Sequence, residues 1–168
     1  KAKGYRVPPT RTKEEYKRRE VTTINRQSDT EVRVTNSEIA AEKKLLSLMA
    51  RGKRLCLKAA DLISPEEFSN TIYQKIAGKL YDAVKSGRQI DVGVVLNEFS
   101  GDTEVENVAA SVFFNNEEYS DNEETLFDLI YTVKLNRIQT KTATATDPME
   151  IAELIKQEQT LKSSRLGW

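Results

Sequence analysis

The sequence has no histidine and one cysteine, and these two shortages exclude several kinds of site. Zinc sites need clusters of cysteine and histidine ligands, and a serine or cysteine nucleophile of the triad type needs a histidine base. A single cysteine cannot form an internal disulfide, so we expect a reducing, cytoplasmic environment. We expect Cys56 to be buried among apolar neighbours as a small hydrophobic residue.

Phosphate-binding and membrane-spanning patterns are also missing from the sequence. There is no Gly-x-x-x-x-Gly-Lys-Ser/Thr loop, no Gly-x-Gly-x-x-Gly motif, no run of about 20 apolar residues and no secretory signal pattern. The acidic pairs 66–67, 117–118 and 123–124 lie at or just before predicted helix starts, where carboxylates favour the helix dipole. We therefore expect no cofactor, no metal, no membrane contact and no catalysis in this piece.

Charge is balanced overall but unevenly distributed, with 26 basic and 26 acidic side chains. Residues 1–34 carry 10 basic and 5 acidic side chains, so the remainder is acidic. Affinity for nucleic acid comes largely from basic groups that displace counterions. We expect weak or no nucleic-acid binding by the body. Residues 1–34 are predicted to form a flexible basic linker or arm, and this arm is the candidate for contact with nucleic acid.

Helical signals dominate the rest of the chain, and they predict an all-α fold. Ser64-Pro65-Glu66-Glu67 has the pattern of a capping box that opens a helix, and Gly87 is placed to end it. Ile72, Ile76, Leu80 and Val84 recur at helical spacing between these signals. Similar signals predict helices from Asn36, Arg54, Asp91 and Asp102. We assign residues 35–121 to a helix bundle.

Residues 122–168 are predicted to form a C-terminal helical hairpin. An apolar stripe begins after Asn122 and stops at Ile138, and residues 139–146 are rich in threonine and alanine. We therefore expect the chain to leave the packed body after Ile138 and turn. Asp147-Pro148 then caps a last helix.

The terminal hairpin carries more apolar residues than one narrow seam requires. Either it packs on the body, or it offers apolar surface to a partner. We predict apolar anchors on the last helix, rimmed by charges, with the basic face of the preceding helix as the other candidate. The predicted partner-binding residues are Lys134, Arg137, Lys141, Met149, Ile151, Leu154, Ile155, Lys156, Leu161 and Arg165.

Three segments carry a resemblance to a known family. Residues 41–49 (AEKKLLSLM), 63–68 (ISPEEF) and 90–91 with Leu96 resemble the helical fold of two relatives. One is the amino-terminal domain of bacterial replicative helicases, and the other is the carboxy-terminal, helicase-binding domain of bacterial primases. The ending at 150–162 (EIAELIKQEQTLK) is similar to the closing helix of the primase domain.

The primase resemblance implies a module that docks on the amino-terminal domains of the helicase hexamer, recruits primase to the replication fork and modulates the helicase. Because the chain begins with Lys1, we expect a piece of a longer protein whose priming chemistry lies elsewhere. The parent would be a DNA-directed RNA polymerase. The alternative is the amino-terminal domain of the replicative helicase itself.

Overall fold

The protein is all-α over the part of the chain that the structure, a computed structural model, describes: residues 36–114 and 120–164. This confirms the predicted fold class. No strand occurs within those two ranges. The helices in chain order are α1 (Asn36–Ala50), α2 (Lys53–Leu62), a 3₁₀ turn (Pro65–Glu67), α3 (Thr71–Lys85), α4 (Val92–Asn97), α5 (Thr103–Phe113), α6 (Glu123–Thr144) and α7 (Pro148–Ser164).

One hydrophobic core joins helices α1 to α6. Helix α1 lies at its centre and contacts α2, α3, α5 and α6. The core includes the predicted α3 stripe, and its fully buried large side chains include Leu45, Met49, Phe68, Leu126 and Ile130. The first half of α6 therefore packs in the bundle. The division at residue 121 and the arm at 1–34 stay predictions, since the arm lies outside the described residues.

The start predicted for the third helix at Ser64 is wrong, although its capping interaction forms. The backbone N–H of Ser64 donates to Oε2 of Glu67 at 2.8 Å. This interaction closes only the 3₁₀ turn, because the backbone of Phe68 becomes extended and its side chain enters the core. Helix α3 begins at Thr71, after the Asn70 side chain accepts a hydrogen bond from the backbone N–H of Ile72 at 2.8 Å.

The prediction that the chain turns soon after Ile138 is also wrong, because α6 continues to Thr144. Two of the threonines that suggested a turn donate their hydroxyl hydrogens to carbonyls one helical turn earlier. Thr142 Oγ1 donates to the carbonyl of Ile138 at 2.9 Å, and Thr144 Oγ1 donates to that of Thr140 at 3.2 Å. The backbone turns only at residues 145–147.

Several other local predictions are confirmed. Asp91 and Asp102 cap α4 and α5 by accepting hydrogen bonds from backbone N–H groups. Gly87 adopts the positive φ of 81° expected of a residue that ends a helix. Cys56 is fully buried, and this burial raises the pKa of its thiol to about 12. Among the helices that the structure describes, none combines the length and apolar character needed to cross a membrane.

Candidate docking surface

Ion pairs fix the beginning of α6 on the bundle. Asp121, just before the helix, accepts from the guanidinium of Arg51 at 2.8 Å. Glu123 pairs with Lys58 and, at 3.0 Å, with Arg54, both of which belong to α2. The hydrogen bond and charge of Lys58 hold the pKa of the Glu123 carboxyl below its usual range. The hairpin therefore leaves the bundle in a defined direction.

A buried polar cluster connects α1 to the middle of α6. Glu38 and Glu42 lie one turn apart on α1, and both are 0% exposed. Thr140 Oγ1, on α6, donates to Oε2 of Glu38 at 3.0 Å. Glu42 accepts from the backbone N–H of Ser69 at 2.6 Å and from its hydroxyl at 2.9 Å. Arg137, also on α6, acts electrostatically on Glu42.

Burial is the largest influence on Glu42, and it raises the pKa of that carboxyl to about 7 from an ordinary value of 4.5. The hydrogen bonds from Ser69 oppose this rise, the charge of Glu38 adds to it, and the charge of Arg137 opposes it. Neither glutamate was among the predicted site residues. Their spacing is a signal that could have identified them, because Glu38, Glu42, Leu45 and Met49 fall on one face of a helix.

Helix α7 packs along α6, and most of its described side chains stay exposed or partly exposed. Leu154 is its one buried side chain among those described, at 6% exposure, and it is not part of the bundle core. Gln139 of α6 donates to Oε1 of Glu158 at 3.3 Å, and Lys162 pairs with the same oxygen at 2.8 Å. The start of α7 is capped by Asp147, which accepts from the backbone N–H of Met149 at 3.0 Å.

Apolar side chains project from α7 on the side away from Leu154. Met149 is 79% exposed and Ile155 is 43% exposed, whereas Ile151 is partly buried. Leu154 packs inward, so its predicted role as a partner anchor would require it to leave this contact. That role stays a prediction. Met149 and Ile155 are the exposed apolar members of the predicted set.

The remaining described members of the predicted set line a cleft of about 490 Å³ bounded by α2, the 3₁₀ turn, α6 and α7. Lys134 reaches across it to Oε1 of Glu67 at 3.1 Å. Arg137, Lys141, Lys156 and Leu161 also line the cleft. The hairpin thus carries two different surfaces, exposed apolar residues on α7 and a cleft lined partly by basic residues. The sequence alone did not show that these surfaces are separate.

Arg165 lies outside the described residues, so its predicted rim position is not described. Within residues 36–114 and 120–164, no three histidine, cysteine, aspartate or glutamate side chains are grouped so as to hold a metal ion. The chemistry available on these surfaces is that of apolar contact, hydrogen bonding and ion pairing. Such surfaces are suited to binding a partner.

Comparison with known families gives one match. Residues 34–116 match the family model described as DnaB-like helicase N terminal domain. No curated protein and no solved structure matched the chain. The matched span holds α1 to α5 and ends before α6. It supports the helicase N-terminal fold for the bundle.

Proposed function

We propose that this chain is the helicase-binding domain of a bacterial DNA primase, which docks primase onto the replicative DNA helicase and modulates it during primer synthesis. The observation that carries the proposal is the match of residues 34–116 to the helicase N-terminal domain family. Residues 41–49 and 63–68 resemble a helical fold that the primase domain has in common with the helicase domain. The ending at 150–162 favours the primase relative.

The amino-terminal domain of the replicative helicase itself is the second candidate. The family match supports it equally well, since it covers only the bundle that both relatives share. The two candidates differ in what they bind. A helicase domain would associate with copies of itself, whereas a primase domain would bind to the hexamer as a separate protein.

The outward face of α7 is the proposed docking surface. Met149 and Ile155 offer exposed apolar area on α7, the second helix of the hairpin. A few side chains that become buried at the centre of an interface usually carry most of its binding energy. Ile151 lies on the same helix and extends this surface. The amino-terminal domains of the hexameric helicase are the proposed partner.

In this proposal, the catalytic part of the parent protein lies outside this chain. We infer that the fragment is not an enzyme, needs no cofactor and acts in the bacterial cytoplasm at the replication fork. Its body would bind nucleic acid weakly or not at all. Residues 1–34 would link the domain to a polymerase core, and their excess of basic side chains would be the source of any nucleic-acid contact.

Gel filtration and sedimentation distinguish the two candidates. The chain is measured alone, then with a hexameric bacterial replicative helicase, and finally with the same helicase lacking its amino-terminal domains. We expect a monomer that co-migrates with the intact hexamer and not with the truncated one. The variant Ile155→Ala serves as the interface probe, and Lys85→Gln on α3 serves as the matched surface control.

A chain that self-associates into dimers or larger rings and fails to bind the hexamer would support the helicase domain instead. A monomer that binds neither form of the helicase at tens of micromolar would remove both candidates. Binding that is retained by Ile155→Ala and lost by Lys141→Gln would move the docking surface to the basic face of α6.

A further inference from the structure

The cleft between the hairpin and the bundle has a composition of its own. Its volume of about 490 Å³ is sufficient for a few side chains of another molecule. Its walls come from α2, the 3₁₀ turn, α6 and α7. It lies on the inner side of the hairpin, whereas Met149 and Ile155 are exposed on α7.

Basic groups with unused binding capacity line this cleft. Lys134 is engaged by Glu67, but Arg137, Lys141 and Lys156 form no ion pair with any residue in the two described ranges. The Nε atom of Arg137 is buried and has no hydrogen-bond acceptor there. Arg137 also acts electrostatically on the buried Glu42, so its charge is shared between the cleft and that carboxyl group.

Acidic groups in the same cleft limit which anion fits. Four basic residues line it together with three acidic ones, Asp61, Glu67 and Glu153. Glu67 is neutralised by Lys134, while Asp61 and Glu153 are exposed. A dense polyanion such as a nucleoside triphosphate would be repelled by these two carboxylates. Single carboxylates spaced along a chain can approach Lys141, Lys156 and Arg137 separately.

Apolar groups complete the lining. Leu62, Ile138 and Leu161 are each partly buried and face the same cleft. None of the described lining residues is aromatic, so the cleft provides no stacking surface for a nucleobase. An aliphatic side chain would bury apolar area against these three residues. The lining therefore matches a ligand that alternates carboxylates with aliphatic groups.

We propose that this cleft docks a short acidic peptide segment of a protein partner, with an aliphatic side chain against Leu62, Ile138 and Leu161 and carboxylates at Arg137, Lys141 and Lys156. The charge complementarity selects an acidic segment, and the described part of the lining offers no aromatic group on which a base could stack. The site is distinct from the outward face of α7. It does not depend on the helicase assignment.

The test is a titration of the isotope-labelled full chain followed by amide chemical shifts. The probe is an acetylated and amidated peptide of sequence Glu-Leu-Glu-Glu-Leu, and its matched control replaces each glutamate by glutamine. We expect shifts at cleft residues with the acidic peptide only, and affinity that falls as salt is added. The double variant Lys141→Gln with Lys156→Gln should bind about tenfold more weakly, because two exposed ion pairs are lost. Lys85→Gln should bind as the original chain does.

Three results would overturn the proposal. The acidic peptide could leave the cleft amides unshifted, or the double variant could bind it as tightly as Lys85→Gln does. Alternatively, inorganic phosphate or ATP could shift the same amides at lower concentration than the peptide, which would define a small-anion site. The spectrum of each variant reports its fold directly, so a misfolded variant is recognised. A peptide with serine in place of leucine should bind more weakly, and equal binding would contradict the role of the apolar lining.

Discussion

Replacing Glu42 by glutamine removes a carboxyl group that titrates inside the fold. The folded-state pKa of about 7 is above the ordinary value of 4.5, so between these pH values the folded chain binds more protons than the unfolded chain. The free energy of unfolding must then fall as pH rises through this interval. The contribution of Glu42 is fully present below pH 4.5 and is lost as the pH passes about 7.

The size of this effect follows from the shift. Each pKa unit corresponds to 1.36 kcal/mol, so the interval from 4.5 to about 7 sets an upper bound of about 3 kcal/mol. Glutamine can keep the contacts with Ser69, because its carbonyl accepts from the N–H and the serine hydroxyl can accept from its amide. It loses the attraction of Arg137 and the repulsion of Glu38. We expect Glu42→Gln to be more stable than the original chain by about 1 to 2 kcal/mol at pH 8.

The assay is urea denaturation followed by circular dichroism, at about pH 5 and about pH 8, for the original chain and the variant. The stability difference between the two proteins should grow with pH, which separates Glu42 from every other titrating group. Glu150→Gln, at an exposed position in the first turn of α7, is the control for removing one carboxyl group from the surface. If Glu42→Gln is the less stable protein at pH 8, the charged carboxylate is stabilised on balance by neighbours such as Arg137, and the reasoning fails.

Four further outcomes are expected. Leu154→Ala should lower the free energy of unfolding by about 2 to 3 kcal/mol in the same denaturation assay. Ile155→Ala should leave the free energy of unfolding unchanged and weaken helicase binding by about 1 to 3 kcal/mol in calorimetry. The reverse pattern would mean that Leu154 is the anchor. Asn70→Ala should cost about 1 kcal/mol through loss of the α3 cap, and an unchanged midpoint would contradict that role. Cys56 should react with a thiol reagent only on unfolding, so rapid labelling of the native chain would contradict its burial. A chain starting at Asn36 should lose any salt-sensitive binding to single-stranded DNA, and equal binding by both lengths would exclude the arm.

Local polar signals predicted most helix starts, because a cap is decided by neighbours in the sequence. Asp91, Asp102 and Asn122 each accept a backbone hydrogen bond at the start of a helix, as their positions indicated. The same logic failed at Ser64, where the capping interaction formed but the helix did not continue. Burying Phe68 in the core required an extended backbone there, and that requirement comes from tertiary packing.

The length of α6 could not be predicted from the sequence for a similar reason. Threonine in a helix is a weak signal, since its hydroxyl can bond either to the preceding turn or to groups outside the helix. In α6 it does both: Thr142 bonds back along the helix, while Thr140 reaches Glu38 on α1. The partner of Thr140 is 102 residues away in sequence, so no local pattern could identify it.

The predicted partner-binding residues stay a prediction, and the sequence did not show which of them are exposed. The spacing of apolar residues on α7 does not say which of them meets α6, because Leu154 and Ile155 are adjacent and equally apolar. Only the three-dimensional contact shows that Leu154 is buried and that Ile155 is exposed. The cleft was not predicted, because it needs residues from α2 and α7 that are about a hundred positions apart.

The exposure of most α7 side chains has a consequence for how such a protein can change over time. The core joins α1 to α6, and α7 packs on α6 with Leu154 as its buried side chain among those described. If α7 is the docking helix, as proposed, substitutions at its exposed positions would alter recognition with little effect on the fold, since surface changes away from packed contacts usually shift stability by no more than about 0.5 kcal/mol. Stability and partner choice would then be carried by different helices. A sequence built in this way can follow a diverging partner by replacing residues such as Met149 and Ile155, while the glutamates and leucines of α1 stay as they are.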